Sequence, residues 1–292
     1  MKALLFFSLA FVFNCALFAQ NRTDISLAWK DSTKQETVIE SQTGNLYNQL
    51  KHHGPAIENE WIGLRMYFDY KCAIDVYNKT RPGLELKAAG WYPTPEQQRE
   101  GWGADQYKVG NTVGCGGVRL WDGGKVVYLN PVSKRTARVC KEANISYLEM
   151  LSEDVPYRDD SIDVLVRVTV FSGIRAAKVE AFALCDKPVQ FLTGINYHPD
   201  TQTREADNYI CTWGIHPEDV AAFQLAIGAG IIYDPGDFED VNKSDKEYQL
   251  ISKPTKCLKT WISSTSERDQ SLNSMEEFVK YLENFYRDKY LP

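Results

Sequence analysis

Two neighbouring segments decide the fold class of this chain: DVLVRVTVF at Asp163–Phe171 and AKVEAFAL at Ala177–Leu184. In the first, valine occupies every second position from Val164 to Val170, which is the side-chain period of a β-strand with one buried face. The second repeats a strand-length apolar pattern after a short interval that contains a glycine. Both segments are typical of strands in a β-sandwich.

Similar strand-length segments recur along the chain, separated by short clusters of Gly, Pro, Asp and Asn. The further candidates are Leu64–Lys71, Lys125–Asn130, Val189–Tyr197, Asn208–Ile215, Val220–Ile227, Glu247–Ser252 and Cys257–Ser263. Helical segments do not alternate with these strands, which argues against a parallel α/β fold. The sequence therefore predicts an all-β protein, a large antiparallel β-sandwich. The segment 83–117 has little periodicity and is expected to form long loops.

One amphipathic helix is predicted at the C-terminus. Ser274 and Glu277 have the spacing of a capping box, in which each side chain binds a backbone amide of the first helical turn. A single apolar stripe follows, formed by Met275, Phe278, Val279, Leu282 and Phe285. We expect this helix to pack on the sheet.

The N-terminus has the pattern of an export signal. Lys2 precedes an apolar run from Ala3 to Phe13, and Ala19 is a small residue at which a signal peptidase would cut. We therefore expect residues 1–19 to be a signal peptide and residues 20–292 to form one exported, periplasmic domain. Secretion and acylation at Cys15 are alternatives.

Charge and hydropathy restrict the partners. No later segment reaches roughly 18 unbroken apolar residues, so no membrane anchor is predicted. Lys and Arg number 33 against 39 Asp and Glu, which gives a formal net charge of −6. This sign disfavours nucleic acid and anionic membrane surfaces as partners. The sequence leaves the oligomeric state open.

Six cysteines follow the predicted signal, namely Cys72, Cys115, Cys140, Cys185, Cys211 and Cys257. None forms a C-x-x-C pair, which disfavours a structural zinc site. An even number in an exported chain permits up to three disulfides, but their apolar, strand-like surroundings fit buried free thiols equally well.

The histidines are the first candidates for chemistry, because imidazole transfers protons readily near neutral pH. Three of the four adjoin turn-forming residues, in His53-Gly54-Pro55, His198-Pro199 and His216-Pro217. Each is either a structural histidine or a candidate catalytic group at the rim of a sandwich.

A second candidate is the strand face that carries Arg65, Tyr67 and Asp69. If this face lines a cleft, it offers a guanidinium for an anion, a phenol for proton transfer and an acid that orients either. If it meets solvent, it is an ordinary polar face.

A glycine-rich segment from Gly101 to Trp121 is the third candidate. Trp102 could stack on a sugar ring, and Lys108 or Arg119 could pair with an anion. No Gly-Lys-Ser/Thr follows these glycines, and no G-x-G-x-x-G stands in a βαβ setting, so neither nucleotide-binding loop is present. The alternative is a β-meander with a buried tryptophan.

At these segments the chain resembles the domain of unknown function family numbered 4861, found in exported proteins of polysaccharide-degrading bacteria. The matching segments, which span about the middle two-thirds of the chain, are His53-Gly54-Pro55, Glu58-Asn59-Glu60, Arg65-Met66-Tyr67-Phe68-Asp69-Tyr70, Ala73-Ile74-Asp75-Val76-Tyr77, Gly101-Trp102-Gly103-Ala104-Asp105, Lys108-Val109-Gly110 and Tyr197-His198-Pro199. The resemblance implies a sandwich of the galactose-mutarotase type. It also implies the family's best-characterised activity, an oligosaccharide dehydratase acting on ulvan, the sulfated rhamnose–uronate polysaccharide of green algae.

Such a dehydratase removes water across C4 and C5 of the uronate at the non-reducing end and leaves a 4,5-unsaturated uronyl residue. The reaction needs a cation at the carboxylate, a base for the C5 proton and an acid for the leaving hydroxyl. The resemblance implies Arg65, helped by Lys108, at the carboxylate. It implies His53 and Tyr67 as base and acid in either order, with His198 as the alternative proton carrier.

The same resemblance implies the residues that bind substrate, here a sulfated, uronate-containing oligosaccharide. Trp102 would stack on a sugar ring and Arg119 would contact a sulfate, while Glu58 and Asp105 would orient the reacting groups. This chemistry requires no cofactor, although a histidine with nearby carboxylates could hold a divalent cation that neutralises the uronate.

Two other functions stay open. A polysaccharide lyase would use the same groups but expel a sugar instead of water, and a sugar isomerase or mutarotase would share the fold. A non-catalytic carbohydrate-binding module would bind the same sugars through its aromatic residues without turnover.

Overall fold

The computed structural model describes residues 22–290, so the predicted signal peptide and Cys15 lie outside the described residues. In chain order the strands of this part are β1 (Thr23–Ser26), β2 (Val38–Ser41), β3 (Ala56–Asn59), β4 (Gly63–Met66), β5 (Ile74–Tyr77), β6 (Arg119–Trp121), β7 (Val126–Val127), β8 (Lys134–Glu142), β9 (Ile145–Tyr157), β10 (Asp160–Phe171), β11 (Ala177–Leu184), β12 (Gln190–Asn196), β13 (Gln202–Ala206), β14 (Tyr209–Ile215), β15 (Ala226–Ile232), β16 (Phe238–Lys243), β17 (Glu247–Ser252) and β18 (Cys257–Ser266). The α-helices are α1 (Leu86–Ala89), α2 (Pro95–Arg99) and α3 (Met275–Tyr290), and short 3-10 turns lie at Lys51–His53 and Pro235–Asp237.

The strands form three antiparallel sheets. The largest has the order β13-β14-β15-β18-β11-β10-β9-β8-β2, the second β16-β17-β12-β6-β7, and the third β1-β3-β4-β5. One apolar core joins all three, and it includes Val166 of β10, Phe191 of β12 and Leu64 of β4. The predicted antiparallel all-β architecture is therefore confirmed.

The two segments that decide the fold class pair with each other. β10 and β11 lie antiparallel, with Val164 opposite Ala183 and Val168 opposite Val179. The alternating valines are buried, while Asp163, Leu165 and Arg167 between them are partly exposed. Burial of one face explains why the period of two was visible in the sequence.

Three predicted strands differ from the observed ones. β4 ends at Met66, because a tight turn follows in which Asp69 Oδ1 accepts the amide of Lys71 at 2.9 Å. In the segment Lys125–Asn130 only Val126–Val127 is a strand.

The segment Val220–Ile227 becomes extended only at Ala226, where β15 begins. The preceding backbone instead binds one side chain of α2 and one of the glycine-rich segment. The amide of Ala222 donates to Gln98 Oε1 at 3.0 Å, and the carbonyl of Phe223 accepts from Gln106 Nε2 at 2.7 Å. The long-loop segment 83–117 contains the short helices α1 and α2.

The C-terminal helix agrees with the prediction. Ser274 Oγ accepts the amide of Glu277 at 3.3 Å, which satisfies one free donor of the first turn. Phe278 and Leu282 are fully buried against a cluster on the large sheet that includes Tyr209 and Trp261. No helix within residues 22–290 is long and apolar enough to cross a membrane. The six cysteines of this part are free thiols.

A fully buried arginine on β8 joins the large sheet to the loops beside it. The guanidinium of Arg135 donates to the carbonyl oxygens of Gly44, Asp69 and Leu129. These acceptors belong to three separate loops, so a single side chain fixes their positions relative to the sheet. A buried carbonyl without a donor costs roughly 1–3 kcal/mol.

We expect Arg135→Ala to lower the free energy of unfolding by at least about 3 kcal/mol, because three buried carbonyls lose their donor and a cavity is left. Arg138→Ala is the matched control, since Arg138 lies on the same strand with its side chain 58% exposed and 3.7 Å from Glu149. That change should cost less than about 1 kcal/mol. Urea unfolding curves measure both, and equal losses would contradict the role given to Arg135.

Candidate functional site

The predicted proton carrier His53 lies at the end of the 3-10 turn Lys51–His53, directly before β3. Its Nδ1 is 3.0 Å from the carbonyl oxygen of Tyr47, and its Nε2 is 2.7 Å from the hydroxyl of Tyr92. Because a carbonyl can only accept, Nδ1 carries the proton in the neutral ring. Nε2 is then the acceptor, and Tyr92 donates to it.

Aromatic rings enclose this imidazole. Tyr47 stacks on it with ring centroids 3.8 Å apart and an angle of 10°. Trp91 and Tyr67 approach it edge-on, at 4.6 Å and 5.8 Å. His53 is only 7% exposed as a result. Burial lowers its pKa from 6.5 to about 4, so His53 is neutral at physiological pH.

A buried ion cluster lies beside His53. Arg65 of β4 pairs with Asp75, its register partner on β5, and with Asp105 of the glycine-rich loop at 2.5 Å. The hydroxyl of Tyr67 donates to Asp75 Oδ2 at 2.7 Å. The cluster therefore connects the phenol of Tyr67 to a carboxyl group held by a guanidinium.

The pKa values of Asp75 and Tyr67 in this cluster bear most directly on proton transfer. Burial raises the pKa of Asp75 to about 7; Arg65 opposes that rise and Asp105 adds to it. Burial also raises the pKa of Tyr67 well above its usual value, and the neighbouring Asp75 adds to that rise. Tyr67 therefore keeps its proton, and Asp75 is poised to hold or release one near neutral pH.

His198 and His216 form a second group, with ring centroids 4.5 Å apart. The backbone of Lys108 holds both, since its amide donates to His216 Nδ1 at 3.1 Å and its carbonyl lies 2.9 Å from His198 Nε2. Burial lowers the pKa of His216 to about 3 and also lowers that of His198. The Lys108 ammonium pairs with the exposed Asp219 at 2.8 Å.

Two predicted roles need correction. Arg65 was expected to clamp a substrate carboxylate, but its guanidinium is 1% exposed and already carries two carboxylates of the protein. Glu58 was expected to orient substrate groups, but it is buried and accepts from the Lys79 ammonium and from two backbone amides that open α1. Both side chains therefore bind groups of the protein itself.

Of the remaining predicted residues, one belongs to the ion cluster and two make other contacts. Asp105 belongs to it directly. Trp102 is half-buried, with its ring 6.0 Å from the guanidinium carbon of Arg81. Arg119 is buried against the Tyr128 ring at 4.3 Å and lies 3.6 Å from Glu247. The binding roles given to Trp102 and Arg119 stay predictions.

Sequence reasoning missed Tyr92, Tyr47 and Asp75 as site residues. A signal existed for Asp75, because a hairpin of β4 and β5 pairs it with Arg65 ten residues earlier. Tyr92 and His53 are 39 residues apart in the sequence, and no sequence pattern indicates their contact.

No group of three or more His, Cys, Asp or Glu side chains within residues 22–290 is arranged to hold a metal ion. An open cavity of about 630 Å³, lined by residues that include Glu205, Tyr233 and Phe238, contains none of the predicted site residues.

Comparisons with known proteins give a family and distant structural similarities. The model of the domain of unknown function DUF4861 matches residues 15–289. A search of curated proteins found no match. Among solved structures, a protein described as an aldose 1-epimerase from Klebsiella pneumoniae is 9% identical, with 91% of this chain and 95% of that chain covered and a TM-score of 0.41.

Two larger proteins match over part of their length. A heparan sulfate lyase from Pedobacter heparinus is 10% identical, with 74% of this chain and 35% of that chain covered and a TM-score of 0.40. A 4-alpha-glucanotransferase from Thermococcus litoralis is 12% identical, with coverages of 72% and 37% and a TM-score of 0.35. The chain spans about a third of each. Similarities this distant carry no inference about activity.

The buried histidines predict a pH-dependent stability. Burial lowers the pKa of His52 from 6.5 to about 3, so the unfolded chain binds its proton at a higher pH than the folded protein does. Stability from this residue is therefore lost as the pH falls below 6.5. From about pH 7.5 to about pH 5 the loss is about 2 kcal/mol.

We expect His52→Asn to remove this part of the pH dependence, since asparagine tolerates the left-handed backbone at this position (φ 57°). The free energy of unfolding in urea is measured at both pH values for each protein. The difference between the two pH values is then compared between the variant and the unchanged protein. An unchanged difference in the variant would show that His52 does not titrate in this way.

Proposed function

We propose that this chain, which belongs to the DUF4861 family, is a carbohydrate-active dehydratase that eliminates water across C4 and C5 of a uronate at the end of an oligosaccharide. The observation that carries the proposal is the neutral His53 imidazole, whose Nε2 accepts a hydrogen bond from Tyr92 at 2.7 Å. A second proton carrier, Tyr67, adjoins the same ring.

In this proposal His53 and Tyr92 together form the base. Tyr92 is half-exposed whereas His53 is almost fully buried, so a ligand reaches the tyrosine oxygen first. The Tyr92 oxygen takes the C5 proton while its own proton passes to Nε2. A bound carboxylate places a negative charge near the imidazole and raises its pKa, which favours the protonated ring at that moment.

Tyr67 is the acid of the proposed reaction. Its raised pKa keeps the phenol protonated. When Asp75 is itself protonated, its carboxyl group, 2.7 Å from the Tyr67 oxygen, can replace the proton that Tyr67 gives away. As the C5–H bond breaks, its electron pair forms the C4–C5 double bond. The C4–O bond breaks in turn, and the oxygen leaves as water with the proton from Tyr67.

The surroundings support a sugar as the ligand. Trp91 and Tyr92 are half-exposed and adjoin the proton carriers, and aromatic faces commonly pack against the apolar faces of sugar rings. The family resemblance implies a uronate of the ulvan type. We also propose that the protein is exported to the periplasm.

We expect Tyr92→Phe and His53→Asn each to lower kcat by about 10²- to 10⁴-fold, because each removes one step of proton transfer. Tyr147→Phe is the control, since Tyr147 lies on β9 against Arg167. The assay incubates the mature protein with ulvan oligosaccharides that end in a saturated uronate. It follows the absorbance of unsaturated uronate and the product mass.

The proposed reaction lowers the oligosaccharide mass by one water without shortening the chain. Cleavage into two pieces whose masses sum to the original would instead show that the protein is a lyase. Binding without any change in mass or absorbance would instead indicate a binding module.

The role of Asp75 in returning a proton to Tyr67 predicts a pH dependence of kcat/KM. With a pKa of about 7, Asp75 holds its proton below that pH and loses it above, so kcat/KM should fall as the pH rises through about 7. In Asp75→Asn this fall should vanish and the rate should be low throughout. Asp160→Asn, at the exposed start of β10, should keep the normal profile. A fall near pH 7 that persists in Asp75→Asn would exclude Asp75 as its source.

A further inference from the structure

Two lysine ammonium groups near His53 have no part in the proposed proton transfers. Lys30 is exposed, and its Nζ lies 4.4 Å from the centroid of the Trp91 ring. Within residues 22–290 no carboxylate forms an ion pair with this ammonium. A cation over an aromatic face is attracted by the ring but keeps its full charge.

Lys71 lies against the rings of Tyr67 and Tyr47. Its Nζ is 5.1 Å from the Tyr67 centroid and 5.8 Å from that of Tyr47. It donates to the carbonyl of Gly110 at 3.2 Å, and its nearest carboxylate oxygen, on Asp69, is 3.9 Å away. At that separation the ion pair is loose, so the ammonium can still bind an anion.

Both ammonium groups act on the same imidazole. Each contributes to the low pKa of His53 through its positive charge. Arg65, the third cation near His53, is neutralised by two aspartates and is closed to a ligand. Lys30 and the loosely paired Lys71 therefore supply positive charge that a ligand can reach.

We infer that the site binds a saccharide with two anionic groups, Lys71 taking the carboxylate of the reacting uronate and Lys30 taking a sulfate on the neighbouring sugar. This inference rests on the proposed function for the identity of the reacting sugar. Lys71 is assigned to the reacting sugar because it adjoins Tyr67, the proposed acid. Lys30 is assigned to a second group because it rests on a different ring, Trp91.

The test measures binding rather than turnover, by isothermal titration calorimetry at low ionic strength. The probes are a sulfated ulvan disaccharide with a saturated uronate end, its desulfated form and its carboxyl-reduced form. The variants are Lys71→Gln and Lys30→Gln. The control is Lys34→Gln, whose side chain is 75% exposed and paired with Glu36.

We expect Lys71→Gln to weaken binding of the sulfated and desulfated disaccharides about tenfold, because a charged contact is lost. Its affinity for the carboxyl-reduced form should equal that of the unchanged protein. Lys30→Gln should weaken binding of the sulfated form about fivefold and leave the desulfated form unaffected. Lys34→Gln should change none of these affinities.

Two results would overturn the inference. One is equal affinity of the unchanged protein and both lysine variants for all three probes, and the other is failure of the unchanged protein to bind the sulfated disaccharide. Lysine-dependent binding without release of water would overturn only the proposed dehydration. The unfolding midpoint of Lys30→Gln should match that of the unchanged protein, since Lys30 is exposed. That of Lys71→Gln should fall only slightly, since this change removes one hydrogen bond to Gly110 and a loose ion pair with Asp69.

Discussion

The interaction on which the candidate site depends is the pairing of one buried guanidinium with two carboxylates. Arg65 and Asp75 face each other across β4 and β5, and Asp105 reaches the same guanidinium from the glycine-rich loop. Removing a charge from water costs several kcal/mol, so none of the three is stable there alone. The need for mutual neutralisation fixes the loop against the hairpin, and it aims the Tyr67 hydroxyl at Asp75. The position of the Tyr67 hydroxyl thus depends on the ion pairs between Arg65 and the two aspartates.

The sequence predicted those strands and helices that have one buried face and one face exposed to solvent. β10, β11 and α3 bury a regular stripe, so the valines of β10 and the apolar residues of α3 show the correct period. β4 is buried on both faces, and the alternation around Leu64 therefore suggested a polar face where none meets solvent. That is why Arg65 looked available to a ligand. His53 was found from its residue type and its turn, whereas its partner Tyr92 depends on tertiary structure alone.

The two proposed proton carriers, His53 and Tyr67, differ because burial acts on their pKa values with opposite consequences for protonation. Desolvation disfavours a charged imidazole and so leaves Nε2 of His53 without a proton, while it disfavours a phenolate and so leaves Tyr67 with one. Rings whose centroids lie 5.8 Å apart are thus held in complementary protonation states by a shared apolar enclosure. A reaction that needs a base and an acid at neighbouring atoms requires this arrangement.

The backbone at His52 and His53 has positive φ values of 57° and 61°, a left-handed conformation that costs roughly 1–2 kcal/mol at each non-glycine residue. The 3-10 turn, the Tyr47 carbonyl and the stacked Tyr47 ring hold His53 in this conformation before any ligand arrives. The rotational freedom of the imidazole is therefore already lost when the chain folds. A ligand that binds here has no side-chain entropy of the imidazole left to remove, so more of its binding energy is available for discrimination between ligands.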